Sequence, residues 1–466
     1  MVSHPETSRS KPLHSPSTPH PSPLTSLHFL VVLTLLVRGG VLALAPGSLA
    51  TTTPDYAVNT GDQSARYEDR RTDPDGYRDL AQNLLESGTF GYDQVPTAYR
   101  PPLYPLVLTV CLAFGQWGNV AIAILHLLLG LATVWLVYRL GHRWGLGNYS
   151  LLAAALVACD PILLFWSTRV MTETPATLLA VASLILLTRA SERPSISRAA
   201  MAGGCLALAT LCRATFLPFL MITALVLPAV ARTWSVRLQL LGSFLAAAAL
   251  VLAPWAVRNQ IQFGRPIVAT THGGYTVLLG NNEGFYDYLR SGAWGTVWDA
   301  RKFNDGWRAR ATRISPADEL RNDRLAYQEA WQNIRSHPWM FVYSSVVRVG
   351  RLWALVPHQV EPNEGAGGRW SRYLVGLWYL AELALALIGI LAIYRGVGRG
   401  QFWQAGWLWG ILLAGCFTAV HALYWSNLRM RGPLMPIVAF ATAAGVARIA
   451  TGIFGRKSCA IHGLCP

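Results

Sequence analysis

The chain has 466 residues, of which 52% are hydrophobic and only 14% charged, and its mean hydropathy is +0.32. That composition excludes an ordinary soluble domain and makes the bilayer the solvent for much of the chain. The net charge of +15 does not signal nucleic acid, because Lys11, Lys302 and Lys457 are the only lysines and the arginines sit mostly in short connections between apolar runs. Such placement is the mark of membrane topology.

Residues 1–26 are rich in Pro, Ser, Thr and His without apolar periodicity, and predict a disordered cytoplasmic tail. The following LHFLVVLTLLVRGGVLALAPGSLA is a transmembrane anchor with Arg38 near its outer half, or a signal peptide ending in a small-residue Ser-Leu-Ala site. The anchor is preferred, and either alternative puts the next loop, residues 48–100, outside. Acidic residues outnumber arginines in that loop, so the positive-inside tendency does not draw it into the cytoplasm.

The basic connection from Tyr138 to Asn148 follows a span near 120–137 and belongs inside. Spans near 150–166 and 175–188 follow, then two short spans that meet at Arg213, and a seventh from Leu238 to Trp255. Residues 256–371 then form a long outer region. Within it MFVYSSVVRVGRLWALVP is interrupted by Arg348 and Arg351 and predicts a membrane-surface or re-entrant helix. Spans near 373–393, 403–424 and 432–450 complete about ten helices with both ends cytoplasmic. The expected fold class is therefore an all-α polytopic membrane protein, with a transmembrane domain over 27–450 and a cytoplasmic tail over 451–466. No internal repeat appears.

Cys111, Cys159, Cys205, Cys212 and Cys416 lie inside apolar runs and read as small hydrophobes. Cys459 and Cys465 flank His462 near the C-terminus, too weak a pattern to count as a metal site.

Polar chemistry concentrates in Thr72–Pro105, TDPDGYRDLAQNLLESGTFGYDQVPTAYRPPLYP. Tyr77, Leu80, Ala81, Leu84 and Leu85 recur at helical spacing and predict a short amphipathic helix that Gly88 ends. Pro74 suits the first helical position, which makes Asp73 the expected N-cap. A carboxylate has acceptor sites to spare, so a cap and a catalytic base are compatible roles.

An acidic residue four positions before an aromatic in a first outer loop, then a surface helix, then Arg-Pro-Pro-Leu-Tyr-Pro, resembles the polytopic C-superfamily (GT-C) glycosyltransferases. The dolichyl-phosphate-mannose-protein mannosyltransferase-like proteins, with the aminoarabinose transferases as kin, are the nearest in pattern. VMTETPATL around Glu173, PWAVRNQIQFGRPIV around Arg258, LLGNN at Leu278–Asn282 and LRMRGPLMP at Leu428–Pro436 extend the match over about residues 28–450.

The resemblance implies an inverting transfer of a sugar from a polyprenyl-phosphate carrier to an acceptor hydroxyl at the outer face of the plasma membrane. Asp73, placed by its spacing to Tyr77, would be the general base; the family often has Asp-Glu here, and the departure to Asp73-Pro74-Asp75 leaves Asp75 as substitute or helper. Tyr77 joins the substrate-binding set. Arg100 stands where relatives carry a basic residue before Pro-Pro, suited to hold the departing lipid phosphate.

Arg258, Arg429 and Arg431 sit on the outer side against the usual sidedness, and a phosphate on that face, an ion pair or interfacial snorkelling would each explain them. Glu173 opens a span, where a helix N-terminus favours negative charge, or contacts sugar, acceptor or a divalent metal. Metal dependence stays open, since no compact ligand cluster appears. The expected partners are a polyprenyl-phosphate-linked sugar, membrane lipids and a protein, glycan or lipid acceptor. A transporter or flippase of lipid-linked sugars is the alternative; it predicts charges within the spans and symmetry between halves.

Overall fold

A computed structural model of the protein describes residues 23–45, 48–49, 73–92, 94–292, 298–311, 314–358, 365–396 and 406–453. The N-terminal tail up to residue 22, most of the first loop before Asp73, and the C-terminal tail with Cys459, His462 and Cys465 lie outside the described residues.

The chain opens with α1 (Thr25–Leu44), which carries a π turn at Leu35–Gly39 where Arg38 is buried and donates to Val157 O at 2.9 Å. Helix α2 (Tyr77–Ser87), a two-residue hairpin of β1 (Gly91–Tyr92) and β2 (Val95–Pro96), and α3 (Leu103–Leu112) follow. The apolar face of α2, Tyr77, Leu80 and Ala81, is buried, and the Thr109 hydroxyl of α3 donates to Ala81 O at 3.2 Å. Helix α2 thus docks partly on protein, while Leu85 is exposed.

The membrane helices continue with α4 (Gly115–Arg143), then α5 (Tyr149–Cys159) and α6 (Pro161–Ser167), which meet at a bend of 46°. Asp160 occupies that bend because it can cap α6, accepting from Leu163 N at 2.8 Å, with Pro161 at the first helical position. Next come α7 (Glu173–Glu192), the shorter α8 (Ile196–Cys212) and α9 (Ala214–Val230), and the long α10 (Trp234–Phe263). The expected exit at Trp255 is too early. The helix runs on for two more turns until Gly264, at φ +68, takes the left-handed conformation that ends it, so Arg258 is a helical residue and the long region expected outside opens at Gly264.

That region is built of helices: α11 (Gly273–Gly280), α12 (Glu283–Ser291), α13 (Arg301–Arg310), α14 (Pro316–Ser336) and α15 (Pro338–Leu352). Helix α15 has an inverted pattern, with Trp339, Val342, Tyr343 and Val346 exposed while Ser344 and Arg348 are buried. An apolar face left open suits a helix at the membrane surface. The chain finishes with α16 (Ala366–Gly396), α17 (Trp407–Leu423), a 3₁₀ turn at Leu428–Leu434 and α18 (Met435–Ile453).

Among the described residues six helices are long and apolar enough to cross a membrane, or seven if α5 and α6 form one bent span. The expected ten is reached only by adding α8, α9 and α17, each of at most 17 residues. A 17-residue helix spans about 25 Å against a hydrocarbon core of about 30 Å. Inside lipid, apolar burial gives little reason for helices to associate, so close approach of small residues must supply it. Helices α16 and α18 show this: a Cβ on Gly389 would collide with Ala441 O, and one on Gly445 with Leu385 O. Large residues such as Leu225, Leu250 and Ile261 remain open on the outside, as lipid contact requires.

Candidate active site

The site begins as a turn. Asp73, Pro74 and Asp75 lead to Gly76, whose φ of +71° is open to glycine at little cost, and Gly76 N closes on Asp73 O at 3.3 Å. The helix therefore starts at Tyr77 with Gly76 as its N-cap, three residues later than Pro74 suggests. Asp73 still serves that helix end, from outside it. Its Oδ1 accepts from Tyr77 N at 3.0 Å and its Oδ2 from Arg78 N at 2.7 Å. Burial pushes the Asp73 carboxyl up to about 7, further than the two backbone N–H donors pull it down.

Asp75 faces the other way, into arginines. Arg100 donates from Nε to Asp75 O at 3.1 Å and from Nη2 to its Oδ1 at 3.3 Å, and Arg429 Nη2 donates to Oδ2 at 2.9 Å. Burial alone would raise the Asp75 carboxyl, but Arg429 and Arg100 outweigh it and hold it well below the usual carboxylate range. Arg100 lies between Tyr77 and Tyr99, 5.5 and 5.4 Å from their ring centroids, and Pro101 and Pro102 stiffen the chain behind it.

Glu173, the first residue of α7, extends the cluster. It is 1% exposed, its Oε1 stands 3.3 Å from Arg213 Nη1 and 3.8 Å from Arg429 Nε, and its Oε2 has no hydrogen-bond partner among the described residues. Arg213 ends α8 and also touches Met430 Sδ. Three guanidiniums, of Arg100, Arg213 and Arg429, thus meet two carboxyl groups, of Asp75 and Glu173. The surplus is one positive charge beside a carboxyl, Asp73, that changes its charge near neutrality.

A column of rings backs the turn. Tyr77 meets Tyr104 edge-on with centroids 5.4 Å apart, and the Tyr104 hydroxyl lies 2.9 Å from His126 Nε2. His126 Nδ1 is 2.9 Å from Ser167 O, which requires the proton on Nδ1 and leaves Nε2 to accept from Tyr104. Sequence reasoning passes over Arg213, Tyr104 and His126. Arg213 leaves a trace there as a charge between two short apolar runs, and Tyr104 as the tyrosine of Arg-Pro-Pro-Leu-Tyr-Pro, with no role assigned to either.

Asp73, Asp75, Tyr77, Arg100, Glu173 and Arg429 are brought together. Two expected residues are not. Arg258 gives Nη1 to Thr97 O at 2.8 Å and Nη2 to Phe90 O at 2.7 Å, and so pins the β1–β2 hairpin to α10. Arg431 is fully buried, donates to Ala354 O at 2.7 Å and lies 4.2 Å over the Tyr379 ring, whose hydroxyl donates to Asp160. It joins α15, α16 and the α5–α6 bend, away from Asp75.

Among the described residues no ready-made donor set for a divalent ion is gathered at this site. Both Asp73 oxygens accept backbone N–H, both Asp75 oxygens carry guanidiniums, and no group of three or more His, Cys, Asp or Glu side chains gathers as a metal site among the described residues.

A helical membrane architecture with six or seven apolar spans among the described residues, and an arginine–carboxylate cluster gathered against the first loop, is the class that fold and site define. Residues 99–257 match the family model of the dolichyl-phosphate-mannose-protein mannosyltransferases, about a third of the chain. The archaeal oligosaccharyltransferase AglB from Archaeoglobus fulgidus, solved with an inhibitory peptide and a dolichol-phosphate, aligns over 93% of this chain and 52% of its own at 16% identity and a TM-score of 0.50. The same organism's oligosaccharyltransferase tethered to an acceptor peptide aligns over 91% and 49%, at 16% identity and 0.51. ArnT from Cupriavidus metallidurans bound to undecaprenyl phosphate covers 92% and 79%, at 15% identity and a TM-score of 0.38. The chain spans about half the length of the oligosaccharyltransferases it matches. No curated protein matches its sequence. The resemblance to the dolichyl-phosphate-mannose-protein mannosyltransferases rests on the match over residues 99–257, and the likeness to the archaeal oligosaccharyltransferases is one of fold.

Proposed function

We propose that the protein is an inverting glycosyltransferase that moves a sugar from a polyprenyl-phosphate donor to an acceptor hydroxyl at the extracytoplasmic face of the plasma membrane. The observation that carries it is the convergence of Arg100 and Arg429 on Asp75, with Arg213 joined to them through Glu173, so that three guanidiniums stand against two carboxyl groups beside Asp73. Departure of the lipid phosphate turns a phosphodiester monoanion into a monoester that gains negative charge in the transition state. A fixed positive surplus stabilises that change more than it stabilises the bound donor, which is what catalysis needs.

In this scheme Asp73 takes the acceptor proton as the acceptor oxygen bonds to the anomeric carbon. The bond from that carbon to the phosphate oxygen breaks on the opposite face, its electron pair leaving with the polyprenyl phosphate. A base is best matched when its pKa lies near the working pH, which favours Asp73 at about 7 over Asp75, whose basicity the two arginines suppress. Asp75 then orients Arg100 and Arg429 toward the phosphate.

Transfer from radiolabelled undecaprenyl-phosphate and dolichyl-phosphate sugars in detergent tests the scheme. Asp73→Asn should lose at least a hundredfold in rate, and Asp75→Asn should lose less while keeping its dependence on Asp73. Robust transfer by Asp73→Asn overturns the base assignment.

One observation bears on the flippase alternative. Arg38, Asp160, Glu382 and Arg431 are buried among the helices, where a transporter would carry charges. They are however engaged locally: Asp160 with Leu163 N and the Tyr379 hydroxyl, Glu382 with Trp378 Nε1 at 3.0 Å, and Arg38 and Arg431 with backbone carbonyls. Lipid-sugar flipping in proteoliposomes without any transfer would move the assignment there.

A further inference from the structure

Beside the arginine cluster lies a half-open cleft of about 100 Å³ between the first loop and the outer helices, lined by Tyr99, Thr271, Tyr275, Trp307, Glu319 and Asp323, among others. It is continuous with the site through rings. Arg100 stands 5.4 Å over Tyr99, Tyr99 meets His272 edge-on at 4.2 Å, His272 stacks on Tyr275 at 5.4 Å, and Tyr275 lies 6.2 Å from Trp307. One wall is therefore aromatic. The other comes from α14, where Glu319 and Asp323 are one turn apart on the same face.

We infer that this cleft receives the acceptor as a carbohydrate, a pyranose laid against the Tyr275–Trp307 wall with its hydroxyls toward Asp323. The inference rests on the transferase reading for its role but not for the binding itself. A pyranose presents an apolar C–H face that suits a ring wall, and a rim of hydroxyls that suits a carboxylate. The size of the cleft admits part of one ring at a time, leaving the rest of the acceptor in water.

A peptide is the less suited occupant. Extended peptides bind by adding to a sheet edge and helical ones by filling an apolar groove, and this cleft is built from loop and helix side chains with carboxylates on one wall. Nor is it a trap for cations. Glu319 is committed to Thr97 Oγ1 and Ala98 N, each at 2.8 Å, and to Thr271 Oγ1, while Arg100 and Arg308 both act electrostatically on Tyr275. What remains is Asp323, whose Oδ1 accepts from Gly274 N at 2.7 Å and whose carboxylate has further acceptor sites for hydroxyl protons, the chemistry that suits a polyol.

Saturation-transfer NMR on the full chain in detergent tests this with methyl α-mannopyranoside, methyl α-glucopyranoside and methyl β-galactopyranoside, against an acetylated Ala-Thr-Ala peptide amide. At least one glycoside should show saturable transfer that weakens tenfold or more in both Trp307→Ala and Asp323→Asn. Trp307→Phe, which keeps a ring, should retain it, and so should Trp331→Ala, a change at an exposed tryptophan of α14 away from the cleft. Peptide binding that the same two variants abolish, no glycoside binding, or glycoside binding indifferent to both variants would each overturn the inference. Retention of radiolabelled undecaprenyl phosphate by the unaltered protein is measured alongside. Its failure, with glycoside binding intact, removes the transferase reading and leaves the cleft as a carbohydrate site.

Discussion

Asp75 and Arg429 are 354 residues apart in the chain and 2.9 Å apart in the fold, so the first loop is tied to the turn before the last helix by one ion pair. The pair is largely shielded from solvent, with side chains 18% and 15% exposed, and Arg100 shares the same carboxylate. Removing one partner of such a pair leaves an uncompensated charge and costs on the order of 3 kcal/mol. Arg429→Ala should therefore lower the thermal midpoint and also abolish the stabilisation that added undecaprenyl phosphate confers on the wild type. Arg429→Lys should recover much of the first and little of the second, since an ammonium cannot contact Asp75 and Glu173 at once with a planar fork. Lipid stabilisation of full size in Arg429→Ala would detach this arginine from phosphate binding.

The proton on Asp73 makes a second expectation. With its carboxyl pushed up to about 7 by burial, the rate of sugar transfer should climb with pH and level off above about 7, and Asp73→Asn should lack that limb. The stability sign is opposite to that of an ion-paired carboxylate. Between the unfolded value near 4 and the folded value near 7 the folded state holds a proton that the unfolded state has released, so stability falls by roughly 1 kcal/mol per pH unit as pH rises through that window. Asp75 contributes in the usual sense. Its depressed value adds stability above about 4 that is lost on acidification below it. Thermal midpoints of wild type, Asp73→Asn and Asp75→Asn from pH 4 to 8 separate the two.

Much of this site was legible from sidedness alone. Apolar runs locate the helices, and arginines that the alternation of loops assigns to the outer side stand out because the membrane rule leaves them unexplained. Sidedness names a face, however, and not a neighbour. Arg429 and Arg431 look equivalent in LRMRGP, yet they sit two residues apart in a 3₁₀ turn, where each residue advances about 120°, so they point to different sides. One reaches Asp75 and the other Ala354. Arg258 was misplaced for a different reason: hydropathy falls after Trp255 although the helix continues to Phe263, because a helix can leave the apolar layer without unwinding. Pro74 suggested a helix start that the Asp75-Gly76 turn postpones, and Arg213 was hidden by its resemblance to an ordinary span connection.

Gly389 and Gly445 offer a test of how α16 and α18 hold together. Each faces a backbone carbonyl of the other helix with no room for a Cβ, so a side chain there must push the helices apart. Gly389→Val or Gly445→Val should cost about 1–3 kcal/mol or more, seen as a lower thermal midpoint in detergent. Gly367→Val, at the start of α16 where a Cβ meets nothing within 4 Å, should have a far smaller effect. Equal losses at all three would refer the effect to helix propensity and not to contact.

Glu319 joins α14 to the first loop through donors that have few substitutes. Its carboxylate accepts from Thr97 Oγ1 and Ala98 N, each at 2.8 Å, and from Thr271 Oγ1, while Thr271 N returns a bond to Ala98 O at 3.0 Å. Leaving a buried donor unmet costs about 1–3 kcal/mol. Glu319→Ala should loosen the loop that carries Arg100, with faster amide exchange at Ala98 and Thr271. Glu319→Gln should fall between, because its amide group turns a donor toward a donor. Transfer should then fail through a weakened lipid-phosphate contact, so donor KM rises in Glu319→Ala before the catalytic rate falls. Unchanged exchange at Ala98 and Thr271 together with a normal donor KM would show that the loop keeps its place without this carboxylate.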